Sequence, residues 1–168
     1  GTGDAVLLSV LDGDREMQIQ STRGTRSFQF LGHPGLHAPL HCTALGKVLV
    51  AFSAPDERER LLRRLPLFPV GPNAITDRRL FRKEIDRVRA QGWALADEEH
   101  EEGVRSIAMP VFGPEGVAIA AVSVVAPISR GPVSELQRHL PLLDEATRQL
   151  SVLLRGSFNY SLAASPSL

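Results

Sequence analysis

Two stretches joined by a short turn decide the fold: Val104-Arg-Ser-Ile-Ala-Met-Pro-Val-Phe112 and Val117-Ala-Ile-Ala-Ala-Val-Ser-Val-Val-Ala126. Between them Gly113-Pro-Glu-Gly116 places Pro and Gly where a type I turn favours them, so the runs fold back on each other as antiparallel strands. The second run is almost continuously apolar, which predicts a strand buried on both faces. Its one polar residue is Ser123. Strand alternation puts Ser123 on a face with Ile119, Ala121 and Val125, and Ser106, Ala108 and Pro110 share a face of the preceding strand.

Outward from this hairpin, the N-terminal region reads as a second one. Ala5 to Leu11 carries Val6, Leu8 and Val10 on one face, Asp12-Gly-Asp14 is a turn, and Glu16 to Ser21 alternates with Met17 and Ile19 inward. Arg26 to Leu31, with Phe28 and Phe30 on one face, is a third strand candidate, and His33 to Pro39 is a Gly/Pro-rich loop. A helix is predicted from Thr43, its N-cap, to Phe52. Ser53-Ala-Pro-Asp56 has the form of a capping box with Pro near the first helical position; the helix it opens ends near Leu65 and buries Leu61, Leu62 and Leu65. Its mixed Arg and Glu residues form a solvated face.

After a loop at 66–72, Asp77 to Gln91 is amphipathic, with Leu80, Phe81, Ile85 and Val88 on one side and Gly92 at the C-terminal cap. Trp93 to Asp97 is a short strand, and Asp97 to Gly103 an acidic loop. Pro132 to Arg155 is helical with a stripe of Leu136, Leu140, Leu143, Leu150 and Leu153, kinked or split at Pro141. Gly156 to Leu168 is expected to be a flexible tail. Strands, helices, strands and a helix in that order give an α+β domain with an antiparallel sheet.

Composition excludes several classes. Length allows one domain, and 43% hydrophobic residues suit a globular core. The 19 basic and 19 acidic residues cancel, which lacks the basic excess of a free-standing nucleic-acid binder. A lone cysteine, Cys42, rules out an internal disulfide and agrees with a reducing cytoplasm. No apolar run reaches the roughly 18 residues of a membrane span. Gly1-Thr-Gly-Asp4 lacks the features of a signal peptide, and no weight rests on it.

Several residues could carry chemistry. A buried Ser123 hydroxyl either bonds a neighbouring backbone carbonyl or points into a cavity, where Ser106 would join it if the two faces align. The first amides of the Thr43 helix favour anions, and small Ala44 and Gly46 allow close approach; routine packing of an Ala/Gly helix is the other reading. His41-Cys42 suggests a base beside a nucleophile, but adjacent side chains rarely align for that role, and packing is the expectation. The spacing in Asp97-Glu-Glu-His-Glu-Glu102 matches no metal motif, so a solvated loop is expected. His33, His37 and His139 are scattered.

His41-Cys-Thr-Ala-Leu-Gly-Lys-Val-Leu-Val-Ala51 resembles the H-x-T/S-A/G-x-G-K/R-x-x-L-A segment of IclR-type transcription regulators. The resemblance continues in order through Ile75-Thr-Asp77, Arg89-Ala-Gln-Gly-Trp93, Asp97-Glu-Glu99, Gly103-Val-Arg105, Ala121-Val-Ser-Val124 and Pro127-Ile-Ser-Arg130, covering about Ala5 to Leu154. It implies a GAF-like effector-binding domain over residues 5–155, an antiparallel sheet flanked by helices. It also implies that the N-terminal winged helix-turn-helix domain of whole members is absent from this chain. No enzymatic activity and no cofactor are implied. The expected partners are a small-molecule effector, further copies of the chain as homodimer or tetramer, and operator DNA reached only through the absent domain. The expected location is the cytoplasm, with no membrane association.

The family's ligand positions fall on Ala44 and Leu45 at the helix start, on Ser106, and on Ser123. Val125 stands where oxo-acid binders carry a second Ser, and Ala96 where they carry Asp. With Met109 and Trp93 expected to add apolar wall, the ligand implied is an organic acid with an apolar or aromatic body rather than glyoxylate or pyruvate. The alternatives are a small hydrolase using Cys42 or the His100 loop, and a ligand-free GAF-like assembly module.

Overall fold

The computed structural model describes residues 2–25 and 32–163, the side chains of 157–163 excepted. In chain order the elements are β1 (Ala5–Asp12), β2 (Arg15–Thr22), β3 (His37–Pro39), α1 (Ala44–Ala51), α2 (Pro55–Arg64), α3 (Arg78–Gln91), β4 (Ala94–Asp97), β5 (Val104–Phe112), β6 (Ala118–Pro127), α4 (Val133–Gln137) and α5 (Leu140–Ala163). The strands form one sheet in the order β3-β2-β1-β6-β5-β4, every neighbouring pair antiparallel. The N-terminal and C-terminal hairpins therefore meet at β1 and β6, where Leu7 lies beside Ser123.

Helices cover both faces, as an α+β domain with a doubly buried central strand requires. On one side Leu45, Val48, Leu49, Leu61, Phe81 and Ile85 of α1, α2 and α3 pack on Leu7, Ala108, Ala121 and Val125 of the sheet. On the other, Leu136 and Leu143 of α4 and α5 pack on Ile107, Val122 and Val124. Arginines of α3 tie the first layer together: Arg89 donates to the Ala51 carbonyl at the end of α1, and Arg78 to the Leu62 and Leu65 carbonyls at the end of α2. Cations there complete orphan carbonyls and oppose the negative end of the dipole.

Several local expectations change. In β2 it is Glu16 and Gln18 that face α1, while Met17 pairs with Val10 on the opposite side and Ile19 is exposed. A one-residue change of phase exchanges the faces of a strand. Here the inward phase is fixed by hydrogen bonds from Ser9 and Thr43 to Glu16, which hydrophobic alternation does not register. His37–Pro39 pairs with β2 as an edge strand, the place in a sheet that tolerates Pro.

Ser53 does not cap α2. Its hydroxyl donates to the Val50 carbonyl at 2.8 Å, Ala54 takes the cap position, and Pro55 opens the helix. Leu80 is 57% exposed because Phe81, Ile85 and Val88 define the inward stripe of α3, about 100° of helical rotation away. Asp77 caps that helix with bonds from the Arg79 and Leu80 amides, and Gly92 closes it at φ 88°, in the left-handed region.

The C-terminal helix is split before Pro141, which occupies the first turn of α5, where its missing N–H is no loss. Leu153 is exposed rather than part of a buried stripe, and α5 continues to Ala163, past the expected end at Arg155. One Gly costs a helix only about 1 kcal/mol, so Gly156 does not stop it. Ile119 packs with the α5 side, beyond a register shift between Val111 and Phe112, and so leaves the face of Ser123. The strand expected at Arg26 to Leu31 lies outside the described residues. Among the described residues no helix is long and apolar enough to cross a membrane.

Candidate functional site

The first turn of α1 organises the site. Thr43, in extended backbone, accepts the Gly46 amide on Oγ1 at 2.8 Å, and the amides of Ala44 and Leu45 are left without a cap. Gly46 is needed for a chain crossing: a Cβ there would stand 2.4 Å from the Leu40 carbonyl oxygen. Its bare surface is used by the preceding segment, which is the packing reading of the two open for this small residue.

A cavity of about 170 Å³ lies between this turn, the β1–β3 end of the sheet and the loop after β4. Leu45, Ala96, Ser106, Ser123 and Val125 line it, five of the six positions implied by the sequence. Strand register explains why. Ala96, Ser106 and Val125 form one row across β4, β5 and β6, and Ala108, Ser123 and Leu7 form the next across β5, β6 and β1. Ala44 is buried in the core and is not among the lining side chains. Met109 and Trp93 pack on the α5 side, so they are not cavity wall; strand alternation turns Met109 away from the face that carries Ser106 and Ala108.

Ser123 is 0% exposed, and among the described residues its Oγ has no hydrogen-bond partner. A satisfying bond to a neighbouring backbone carbonyl is therefore not what this hydroxyl makes. Buried polar groups are almost always paired, so an unpaired one aimed into a cavity marks a place for an external partner.

The sequence reading missed the β2 wall. Glu16, 3% exposed, receives hydrogen bonds from Ser9 Oγ at 3.0 Å and from Thr43 Oγ1, and Gln18 beside it presents a buried Oε1 without a partner among the described residues. Burial pushes the Glu16 carboxyl above its ordinary value, against the two hydroxyls that favour the charged form. His37, Thr43 and Cys42 complete this side. The only signal in the sequence was that a strand otherwise read as amphipathic carries acceptors at alternate positions.

The acidic loop is not simply solvated. Lys47, 1% exposed, projects from α1 to Glu99 at 2.8 Å, to Glu84 of α3 at 2.8 Å and to the Leu95 carbonyl. Burial raises the Glu99 carboxyl in spite of Lys47. Burial would raise Glu84 too, but Arg87 and Lys47 together bring it below its ordinary value. Asp97 pairs with Arg105, and Glu98 accepts the Gly103 amide. Among the described residues no three His, Cys, Asp or Glu side chains are grouped to hold a metal ion.

His41 and Cys42 point apart. The His41 Nε2 bonds the Phe68 carbonyl at 2.8 Å, while Cys42 Sγ reaches toward the Pro39 carbonyl. Burial, with Glu99 and Glu16 nearby, pushes the Cys42 thiol up to about 12, so it stays protonated and non-nucleophilic at neutral pH. The two side chains are held by separate backbone carbonyls, the packed arrangement expected for them.

The family described as bacterial transcriptional regulator IclR C-terminal matches residues 1–152. The HTH-type transcriptional regulator KdgR of Escherichia coli is 33% identical over 150 residues, covering 89% of this chain and 57% of that protein. The chain thus spans about half the length of the curated relatives it matches. Thermotoga maritima IclR superposes with a TM-score of 0.86 at 28% identity, covering 92% of this chain and 62% of that one. A double mutant of the PobR inducer-binding domain from Acinetobacter, in complex with 3-hydroxybenzoic acid, gives 0.78 at 28% identity, covering 89% of each chain. An IclR homologue from Microbacterium hydrocarbonoxydans complexed with 4-hydroxybenzoate gives 0.78 at 27%, covering 91% and 61%. With the family match running from the N-terminal hairpin into α5, and the same sheet and helix layers in the solved relatives, this chain belongs to the IclR regulators and corresponds to their C-terminal domain.

Proposed function

We propose that the domain senses a small organic acid with an apolar or aromatic body and passes its occupancy to a DNA-binding domain outside this chain. One observation carries this: the buried Ser123 hydroxyl without a partner, aimed into a cavity that begins at uncapped helix amides. The ligand's acid oxygens meet the amide of Leu45 and the hydroxyls of Ser123 and Ser106, and its body lies on Leu45, Ala96 and Val125. An apolar cavity of about 150 Å³ holds one benzene ring, so the size here suits a single-ring or short-chain acid. The complexes of two relatives with hydroxybenzoates support the choice.

The regulator reading places the protein in the cytoplasm, without catalytic activity, its DNA contact made through a winged helix-turn-helix partner domain. The printed names of relatives as HTH-type regulators support that division of labour. The domain itself, residues 5–155, assembles as a dimer or tetramer; light scattering of a monomer at micromolar concentration would remove that part.

Calorimetry with 3- and 4-hydroxybenzoate against glyoxylate and pyruvate tests the ligand class. Ring acids should bind more tightly by about 0.8 kcal/mol for each additional buried carbon. S123V should lower ring-acid affinity about tenfold, the worth of one hydrogen bond in a dry site. Tight binding of the oxo-acids alone, or an unchanged affinity in S123V, would refute the assignment.

A further inference from the structure

Two walls of the cavity differ in hydrogen-bonding sense. The α1 and β6 side offers donors: the Leu45 amide at the start of the helix and the Ser123 hydroxyl. The β2 side offers acceptors, the two Glu16 oxygens and the unpartnered Gln18 Oε1. Each Glu16 oxygen receives one protein hydroxyl and keeps further acceptor capacity. Among the described lining residues there is no Lys or Arg, and Lys47 is committed to Glu84 and Glu99. The titratable groups nearby are His37 from β3, whose Nε2 is held by Asp12 at 2.7 Å, Cys42, and Glu99, His100 and Glu101 from the loop. A second anion placed against Glu16 would meet a carboxylate with no compensating Lys or Arg among the described lining residues.

We propose that Glu16 is the specificity-determining residue of this site and reads a hydroxyl group on the effector, so that the ligand is a hydroxylated acid rather than an unsubstituted one. This rests on the reading of the cavity as an effector site. The acid function faces the donor wall, and the hydroxyl donates to Glu16, with Gln18 as the second acceptor. A ligand without that hydroxyl leaves a buried carboxylate short of a donor, which is the circumstance in which polar sites discriminate most strongly.

The test compares hydroxybenzoates, benzoate and methoxybenzoates, the last of which keep the oxygen and lose the donor. In the wild-type domain one hydroxybenzoate isomer should bind about tenfold or more tighter than benzoate and than its own methoxy analogue, as expected for a hydrogen bond to a charged acceptor. In E16Q, with circular dichroism to verify folding, that ratio should fall to about threefold or less as the bond loses its charge, while benzoate affinity holds or rises. The ligand series on wild-type protein decides the matter even if E16Q does not fold. Equal affinity for all the ring acids would overturn the role of Glu16 and leave the effector site standing. An undiminished ratio in a folded E16Q would also overturn it. Failure of every ring acid to bind would remove both readings together.

Discussion

Two of the polar clusters buried among the described residues adjoin α1, and they are built in opposite ways. Around Lys47 everything is paired: two carboxylates and a backbone carbonyl receive its ammonium, and Arg87 joins Glu84 from outside. Around the cavity, among the described residues, Ser123 and Gln18 keep buried oxygens without partners, and Glu16 is buried beside hydroxyls with no Lys or Arg. Leaving a buried polar group unpaired costs roughly 1–3 kcal/mol, so a fold keeps such groups only where something else answers them. The closed cluster pins α1 to α3 and to the loop after β4. The open one holds its hydrogen-bonding capacity in reserve for an occupant of the cavity.

Mutations should separate the two. The largest effect is expected from Lys47→Met, which strands Glu99 in the interior and leaves Glu84 with Arg87 alone; urea denaturation should register a loss of about 3–5 kcal/mol. A loss below about 1 kcal/mol would mean that the closed cluster contributes little, and the contrast would collapse. Next comes Gly46→Ala, whose Cβ meets the Leu40 backbone: a loss of about 1–3 kcal/mol is expected.

Glu16→Gln should act the other way at neutral pH. Folding raises the Glu16 carboxyl, so between its unfolded and folded values the native state holds a proton that the unfolded chain has released. Stability from this group is therefore highest below the ordinary value of 4.5 and falls as pH rises through the folded value. The variant should be more stable than wild type near neutrality and should lose that advantage in acid; thermal unfolding across that range measures it. A pH-independent difference would show that Glu16 is well compensated after all. The smallest effect belongs to Ser123→Ala, which removes an unpartnered hydroxyl: empty-protein stability should change by less than about 1 kcal/mol, in the favourable direction. A marked loss would mean that the hydroxyl has a structural partner and that the open cluster is not open.

The sequence by itself determined the strands and helices with strong periodicity, the β5–β6 hairpin, the caps at Thr43 and Gly92, and five of the cavity residues. These are local properties: alternation, capping chemistry, and an ordered set of family motifs laid along the chain. What only the tertiary structure decided depends on which strand lies beside which. Pairing of β1 with β6 brings Ser123 next to Leu7 and joins the two hairpins into one cavity wall. The phase of β2 was misread because Met17 and Ile19 look like the inward set, while Ser9 and Thr43, remote in sequence or across a turn, hold Glu16 inward. Glu99 looked solvated because its partner lies on α1, 52 positions earlier. Met109 and Trp93 looked like cavity wall because hydrophobicity does not say which face of a doubly buried sheet a side chain joins. Burial of a polar group is decided by its partners, and partners distant along the chain are set by the packing of the whole.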